Sequence, residues 1–165
     1  MNFTYHKKRH DKPAAFVHHK ILVAAGWKSK TPWRAHKPER TTVVGKHVVK
    51  WDPRVRTIDY VKHNHPDIIW ESPDAVRIIE VSCPSDGKVT YWQKEKVSIY
   101  TDLQNDMRRT HRKPVTITPI VIGNTGVIAS DCAKCLEDLN IELDVVSLQK
   151  IAAIETVKIC RNLIT

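Results

Sequence analysis

Two carboxylates occupy strand positions in one apolar stretch, HPDIIWESPDAVRIIEVSCP at residues 65–84. We expect the ESPDAV segment to turn with Glu71 opposite Val76, because four-residue loops are common hairpin connections. Opposed residues in an antiparallel pair keep a constant sum of residue numbers, so Asp67 then faces Glu80. Directly opposed side chains have β-carbons about 4.5 to 5.5 Å apart. This register predicts two carboxylates in one small volume.

Two explanations fit such a pair. Glu80 shares its strand face with Val76 and Ile78, so the carboxylates repel each other beside apolar neighbours unless a cation lies between them. Mg²⁺ binds one or two carboxylates, keeps several waters and completes its shell with substrate phosphate oxygens. The alternative is a solvated sheet face on which both acids pair with nearby lysine or histidine. The register alone leaves both explanations open.

A lysine lies on the apolar side of the helix predicted at residues 88–112. The stripe steps by three or four residues and includes Lys96 among Val89, Trp92, Tyr100, Leu103 and Met107. An inward ammonium group on this helix could reach the carboxylate pair and meet a phosphate or an attacking water there. The alternative is a side chain that extends along the apolar surface to solvent.

The distribution of charge favours a polyanionic partner. The chain has 165 residues, enough for one core, and a net charge of +9. Residues 1–56 carry 14 Lys and Arg against 3 Asp and Glu, whereas the remainder carries 13 against 15. Clustered cations attract nucleic acid first and an acidic membrane surface second. No apolar run is long enough for a membrane helix and no secretory signal is apparent, so we expect an intracellular protein.

The order of predicted elements indicates an α/β domain. We expect a basic flexible tail at residues 1–12, a helix from Pro13 to Ala25 that stops at Gly26, and one folded domain over 13–165. Predicted strands follow at TTVVG, HVVKW, RVRTIDYV, DIIW and AVRIIEVSC, mostly in antiparallel pairs. The helix at 88–112 and a strand at 115–123 form a crossover, and two more helices follow, near 127–139 and from a cap at Ser147.

The loop WKSKTPWRAHKPER interleaves aromatic and cationic side chains. Such a composition can stack on bases and hold phosphates. The candidate DNA contacts here are Lys28, Lys30, Trp33, Arg34 and Lys37. The alternative is that at least one tryptophan of the loop covers the core.

These residues resemble the PD-(D/E)xK nucleases, which include type II restriction enzymes and archaeal Holliday-junction resolvases. Pro66-Asp67, twelve intervening residues and Glu80 match the first two elements of that pattern. The chain is more closely similar to the restriction-like endonuclease domain of non-LTR retrotransposons and related retroelement polyproteins, over roughly residues 14–164. The further matching segments are Trp51-Asp52, Val55 and Thr57, EVSCPSD, Glu95-Lys96 with Tyr100, PIVIGNTG, and the closing helix KIAAIETVKICRNLI.

The resemblance implies a restriction-endonuclease-like fold, a mixed central sheet flanked by helices, and a metal-dependent DNA endonuclease. Asp67 and Glu80 would be ligands of Mg²⁺ or Mn²⁺, and Lys96 would be the catalytic lysine, on the helix rather than at position 82. His65 and Tyr100 would be candidate DNA contacts, with Tyr100 expected to be structural and contact with the scissile phosphate as its alternative. It also implies a nuclear location, a reverse transcriptase domain as neighbour in a polyprotein, and DNA as partner, with a homodimer left open.

Two other functions remain open for this sequence. A resolvase-like nuclease would act on branched DNA, and a non-catalytic DNA-binding module derived from a nuclease would bind without cleavage. The sequence also departs from the family, because His65 replaces the usual Arg or Lys before the PD pair. The first helix offers His18 and His19 where many relatives have a glutamate, and we expect these histidines at the surface, with a metal or water contact as the alternative.

Overall fold

The computed structural model describes residues 3–164, apart from the side chains of residues 3–6 and 163. It is a mixed α/β structure with four α-helices and five strands within that range. The helices are α1 (Phe3–Ala24), α2 (Val89–His111), α3 (Ser130–Asp138) and α4 (Val145–Ile164). The strands are β1 (Thr41–Val44), β2 (His47–Trp51), β3 (Ile68–Glu71), β4 (Val76–Ser82) and β5 (Val115–Val121).

The strands form one sheet in the order β1-β2-β3-β4-β5. The first four strands pair antiparallel, and β5 pairs parallel with β4 after the α2 crossover, as the sequence predicts. The β3–β4 hairpin has Glu71 opposite Val76 and Ile68 opposite Ile79, which is the register expected from the ESPDAV turn. The Ser72 hydroxyl accepts the Ala75 N–H in that turn.

The alternating strand residues separate two apolar layers. One face of the sheet packs against α1, α3 and α4, and the other packs against α2. Within β4, Ile79 and Val81 belong to the first layer, whereas Val76 and Ile78 belong to the second. Glu80 is two residues beyond Ile78, so its side chain lies on the α2 face.

Helix α1 begins at Phe3, whereas the sequence predicts its start at Pro13. The predicted flexible tail covers residues 1–12, of which residues 1 and 2 lie outside the described residues. Residues 3–12 are helical, and the helix continues through the proline. Proline favours the first helical turn because it has no N–H to donate. Here the carbonyl of Arg9, four residues earlier, accepts a hydrogen bond from Cys83 Sγ at 3.6 Å. That tertiary contact supplies the donor that Pro13 lacks.

The segment RVRTIDYV, predicted as a strand, is a loop between β2 and β3. Its strand-forming residues have no place in the ladder, because β2 pairs directly with β3. The Asp106 carboxylate on α2 accepts the backbone N–H groups of Ile58 and Asp59 and holds the loop instead.

The last two helices differ from the prediction only at their ends. Helix α4 begins at Val145, and the Asp144 carboxylate accepts the Val146 N–H, so Asp144 rather than Ser147 caps it. Helix α3 begins at Ser130 instead of residue 127. Across residues 3–164, no helix combines the length and apolarity that crossing a bilayer would require.

Candidate active site

The two predicted carboxylates meet at the point where β3 begins. Asp67 directly precedes β3, and its backbone N–H donates to Glu80 Oε2 at 3.1 Å. In return, Asp67 Oδ2 accepts the backbone N–H of Val81 at 2.7 Å. Each acid is therefore anchored to the strand of the other. The hairpin register brings the pair together, as the sequence predicts.

Lys96 completes this constellation from α2. Its Nζ donates to Glu80 Oε1 at 2.8 Å. The side chain of Lys96 is 19% exposed and that of Glu80 is 7% exposed, so the ammonium group points into the protein rather than outward. Asp67, Glu80 and Lys96 thus form one connected cluster, and the alternative of a solvent-directed lysine does not describe this side chain.

His10 is a fourth member that the sequence interpretation missed. Its Nε2 lies 3.1 Å from Asp67 Oδ2, and its Nδ1 lies 3.0 Å from Asp11 Oδ1. The assignment of residues 1–12 to a tail concealed this contact. A helical signal was present, because His10, Ala14, Val17 and Ile21 are spaced by four, three and four residues, and the last three are fully buried.

The backbone around Pro66-Asp67 is held by Asp52 of the Trp51-Asp52 pair and by Tyr100. Asp52 adopts a left-handed conformation with φ of 49°, and its N–H donates to the Asp67 carbonyl at 2.7 Å. His65 Nε2 lies 2.8 Å from Asp52 Oδ1. The Tyr100 hydroxyl donates to the His65 carbonyl at 3.1 Å. Tyr100 is buried, so the geometry describes a support for the PD segment, while His65 remains exposed beside it.

The surroundings of the cluster shift the pKa values of Glu80, His10 and Tyr100. Burial raises the pKa of Glu80 and the charge of Asp67 raises it further, although Lys96 opposes the shift. Burial lowers the pKa of His10, but hydrogen bonds and charge attraction, from Asp67 first and then Asp11, outweigh it and raise the pKa to about 9. The pKa of Tyr100 is also raised, by burial and then by the charges of Glu80 and Asp67. Positive charge is therefore favourable beside these two acids.

The two acids provide a minimal set of oxygen ligands. Asp67 Oδ1 accepts no hydrogen bond from the described residues, and repulsion between the carboxylates would be relieved by a cation. Mg²⁺ is commonly held by one or two carboxylates together with waters and phosphate oxygens, which this pair fits. Within residues 3–164, however, no three side chains of His, Cys, Asp or Glu come together as a metal-binding group.

Two clefts border the cluster. A cavity of about 280 Å³ opens on the side of Asp67 and His10, and it is also lined by Lys7, Asp11, Trp51 and Asp52. A second cavity of about 270 Å³ lies on the side of Lys96 and is lined by Ser82, Cys83, Pro84 and Trp92. The catalytic candidates are therefore accessible from solvent on two sides.

The predicted DNA contacts in the first loop lie mostly at the surface. Lys28, Lys30, Arg34 and Lys37 are exposed. Trp33 instead packs its ring edge-on against Phe16, with centroids 4.9 Å apart, and the Arg34 guanidinium lies 4.6 Å from the centroid of the Trp33 ring. Trp33 and Trp27 both pack against the core, which agrees with the alternative that a tryptophan of this loop covers it.

The other candidate residues make contacts that stabilise the fold. The expected surface position of His18 and His19 is wrong, because both are buried, and His18 Nδ1 lies 2.8 Å from His36 Nε2. Asp86 holds the GNTG loop, since its carboxylate accepts the N–H of Thr125 at 3.1 Å and the Thr125 hydroxyl at 2.6 Å. All four cysteines of the chain have free thiols.

Comparison with known proteins adds no relative. No family model matches the chain, and no curated protein is significantly similar to it.

Proposed function

We propose that this protein is a metal-dependent DNA endonuclease with the restriction-endonuclease-like fold. The observation that carries the proposal is the connected cluster of Asp67, Glu80 and Lys96, two acids and an amine from the start of β3, from β4 and from α2. The cluster is accessible from two clefts, and the exposed cations of the first loop provide positive charge for a DNA backbone. The ordered motifs shared with retroelement nuclease domains support the same activity.

The residues divide the chemistry between them. Asp67 and Glu80 would hold a divalent cation, which when bound polarises the scissile phosphate and lowers the pKa of a water. Lys96 would donate to a phosphate oxygen or to the attacking water and so stabilise the negative charge that builds in the transition state. His10 and the Val81 N–H orient the Asp67 carboxylate. The expected products carry a 5′-phosphate and a 3′-hydroxyl.

The resemblance also suggests a biological setting. In a retroelement, such a domain nicks target DNA, and the released 3′-hydroxyl would prime reverse transcription. A reverse transcriptase domain would then be the polyprotein partner, and the location would be nuclear.

Plasmid nicking tests the activity directly. We expect the wild-type protein to convert supercoiled plasmid to the open circular form with Mg²⁺ or Mn²⁺, and not with EDTA. Asp67→Ala, Glu80→Ala and Lys96→Ala should each reduce the rate by about 100-fold or more, the loss typical for one electrostatic group at an active site. Lys94→Ala is the matched control, because Lys94 is an exposed lysine on the same helix.

The same assay distinguishes the alternatives. Equal rates in the wild type and the three site variants would refute the assignment of the site. Faster cleavage of four-way junctions than of linear duplex would favour a resolvase. DNA binding that survives Asp67→Ala, without metal-dependent nicking by the wild type, would indicate a non-catalytic module.

A further inference from the structure

Trp92 differs from the other four tryptophans of the chain in its surroundings. Trp70 is buried in the core, and the partly buried Trp27, Trp33 and Trp51 pack against it. Trp92 belongs to neither apolar cluster formed by the described residues, although the sequence pattern predicts it on the inward stripe of α2. Its ring makes an edge contact with Tyr91, with centroids 5.3 Å apart. The large aromatic ring of Trp92 therefore does not pack in the core.

This ring lines the cavity of about 270 Å³ beside Lys96. Lys96 is a wall of that cavity and also donates to Glu80, so the cavity adjoins the catalytic cluster. Pro84 and Cys83 form the remaining apolar lining. Ser82 is also in the lining, and its buried Oγ has no hydrogen-bond partner among the described residues. The cavity therefore combines a flat aromatic wall, a cation and an unpartnered hydroxyl.

Taking the proposed function as its basis, we propose that this cavity binds a nucleobase next to the scissile phosphate by stacking it on Trp92. Lys96 would meet the phosphate while the aromatic ring meets the adjoining base, and the Ser82 hydroxyl is available to the polar edge of that base. Every nucleobase has a π-face, so the site would accept any base rather than select a sequence.

Stacking on Trp92 would favour one class of DNA substrate. Stacking one base on an aromatic side chain strengthens binding by about 5- to 100-fold. Taking a paired base out of a duplex has a cost of similar or larger size, and the cost is least for a mismatched or unpaired base. Stacking on Trp92 therefore gives a net increase in affinity only where the base is already unpaired. We infer a preference for DNA that is single-stranded or locally open at the cleavage position.

Binding without metal tests this independently of catalysis. The probes are a fluorescent oligothymidylate and an abasic oligomer with the same number of phosphates, measured by anisotropy in EDTA at one salt concentration. Because the charge is equal, the ratio of their Kd values reports base contacts alone. We expect wild type to bind the oligothymidylate about 5- to 100-fold more tightly than the abasic oligomer.

Substitutions of Trp92 test whether its ring causes the difference between the two Kd values. Trp92→Leu, which keeps an apolar side chain, should bring the ratio close to one, and Trp92→Phe should retain most of it. Tyr91→Ala is the matched control, because Tyr91 is the exposed neighbouring aromatic, is not in the cavity lining, and should leave the ratio unchanged. A wild-type ratio near one, or an unchanged ratio in folded Trp92→Leu, would overturn the proposal.

Failure of this inference is distinguishable from failure of the proposed function. Asp67-dependent nicking together with a ratio independent of Trp92 removes the base site and leaves the nuclease. A ratio that depends on Trp92 in a protein without metal-dependent nicking supports the base site and removes the nuclease.

Discussion

His10 places a positive charge against Asp67, one of the two proposed metal ligands. Its pKa of about 9 means that the imidazolium form predominates at neutral pH. This charge lies where a divalent cation would also be attracted, 3.1 Å from Asp67 Oδ2. His10 should therefore compete with the cation for the carboxylate while it keeps the carboxylate oriented.

We expect His10→Ala to increase the affinity for Mn²⁺ by about two- to fivefold at pH 7, the scale of one partly exposed ion pair. Isothermal titration of Mn²⁺ into the metal-free protein measures this. His63→Ala is the control, since His63 is exposed. A weaker affinity in His10→Ala would contradict the expectation and would indicate that His10 is itself a ligand as neutral imidazole.

The residue types of this site were predictable, but one of its members was not. Asp67, Glu80 and Lys96 follow from local periodicity, because the hairpin register and the helical stripe each depend on short spacings. His10 lies 57 positions before Asp67, and no local pattern specifies which residue of a distant helix meets a strand end.

At the scale of elements, the loop that follows β5 is tied to the segment that follows β4. A β-carbon on Gly123 would lie 2.1 Å from Asp86 Oδ1, so the glycine allows Asp86 to bind Thr125. At the other end of the loop, Gly126 has φ of 98°, and its carbonyl accepts from Gln149 Nε2 on α4. Both ends of the GNTG motif thus have structural partners.

Gly123→Ala should reduce the free energy of unfolding by about 1 to 3 kcal/mol, because the added methyl displaces the Asp86 carboxylate and breaks its contacts with Thr125. Urea denaturation followed by circular dichroism measures the change. Gly87→Ala, where an added β-carbon meets nothing within 4 Å, should alter stability by less than about 0.5 kcal/mol. Equal effects of the two substitutions would show that steric exclusion at Gly123 does not matter.

Helix α1 shows how tertiary contacts override a local signal. Pro13 predicts a helix start, yet the helix extends ten residues further toward the N-terminus. The Arg9 carbonyl that Pro13 leaves without a donor is bound by Cys83, next to the end of β4. The same stretch carries His10 to Asp67. The extension of α1 therefore matters for the site as well as for the core.

At the scale of the whole molecule, the buried His18 and the partly buried His36 join α1 to the loop before β1. His18 and His36 contact each other through ring nitrogens 2.8 Å apart. Burial, and then the neighbouring histidines His36 and His19, lower the pKa of His18 to about 3. Burial, and then His19, lower that of His36 to about 4. Both rings are therefore neutral in the folded protein near pH 5.

This pair predicts a loss of stability in acid. In the unfolded chain both histidines have a pKa near 6.5, so below that value the unfolded state binds more protons than the folded state. Their contribution to stability is complete above about pH 6.5 and decreases as the pH falls toward 4. The contribution of His10 to stability has the opposite pH dependence. Because its pKa is raised, His10 stabilises the fold below about pH 6.5, and this contribution is lost as the pH rises through 9.

The expected result is an acid-side decrease of the urea midpoint between about pH 6.5 and 4.5 that becomes shallower in His36→Gln. Equilibrium unfolding at several pH values measures it. His63→Gln, which changes an exposed histidine, should keep the wild-type slope. An identical slope in His36→Gln would show that the pair of His18 and His36 does not titrate on unfolding in this range.

The sequence by itself determined the register of the β3–β4 hairpin, the inward position of Lys96 on α2 and the order of most elements, since these depend on spacings of two, three and four residues. The loop RVRTIDYV has the composition of a strand, but β2 and β3 on either side of it pair directly with each other, so only the assembled sheet decided its form. The positions of His10, Trp92 and the buried histidines were likewise decided by tertiary packing. Which distant surfaces meet depends on the sum of many weak contacts, and no local periodicity encodes that sum.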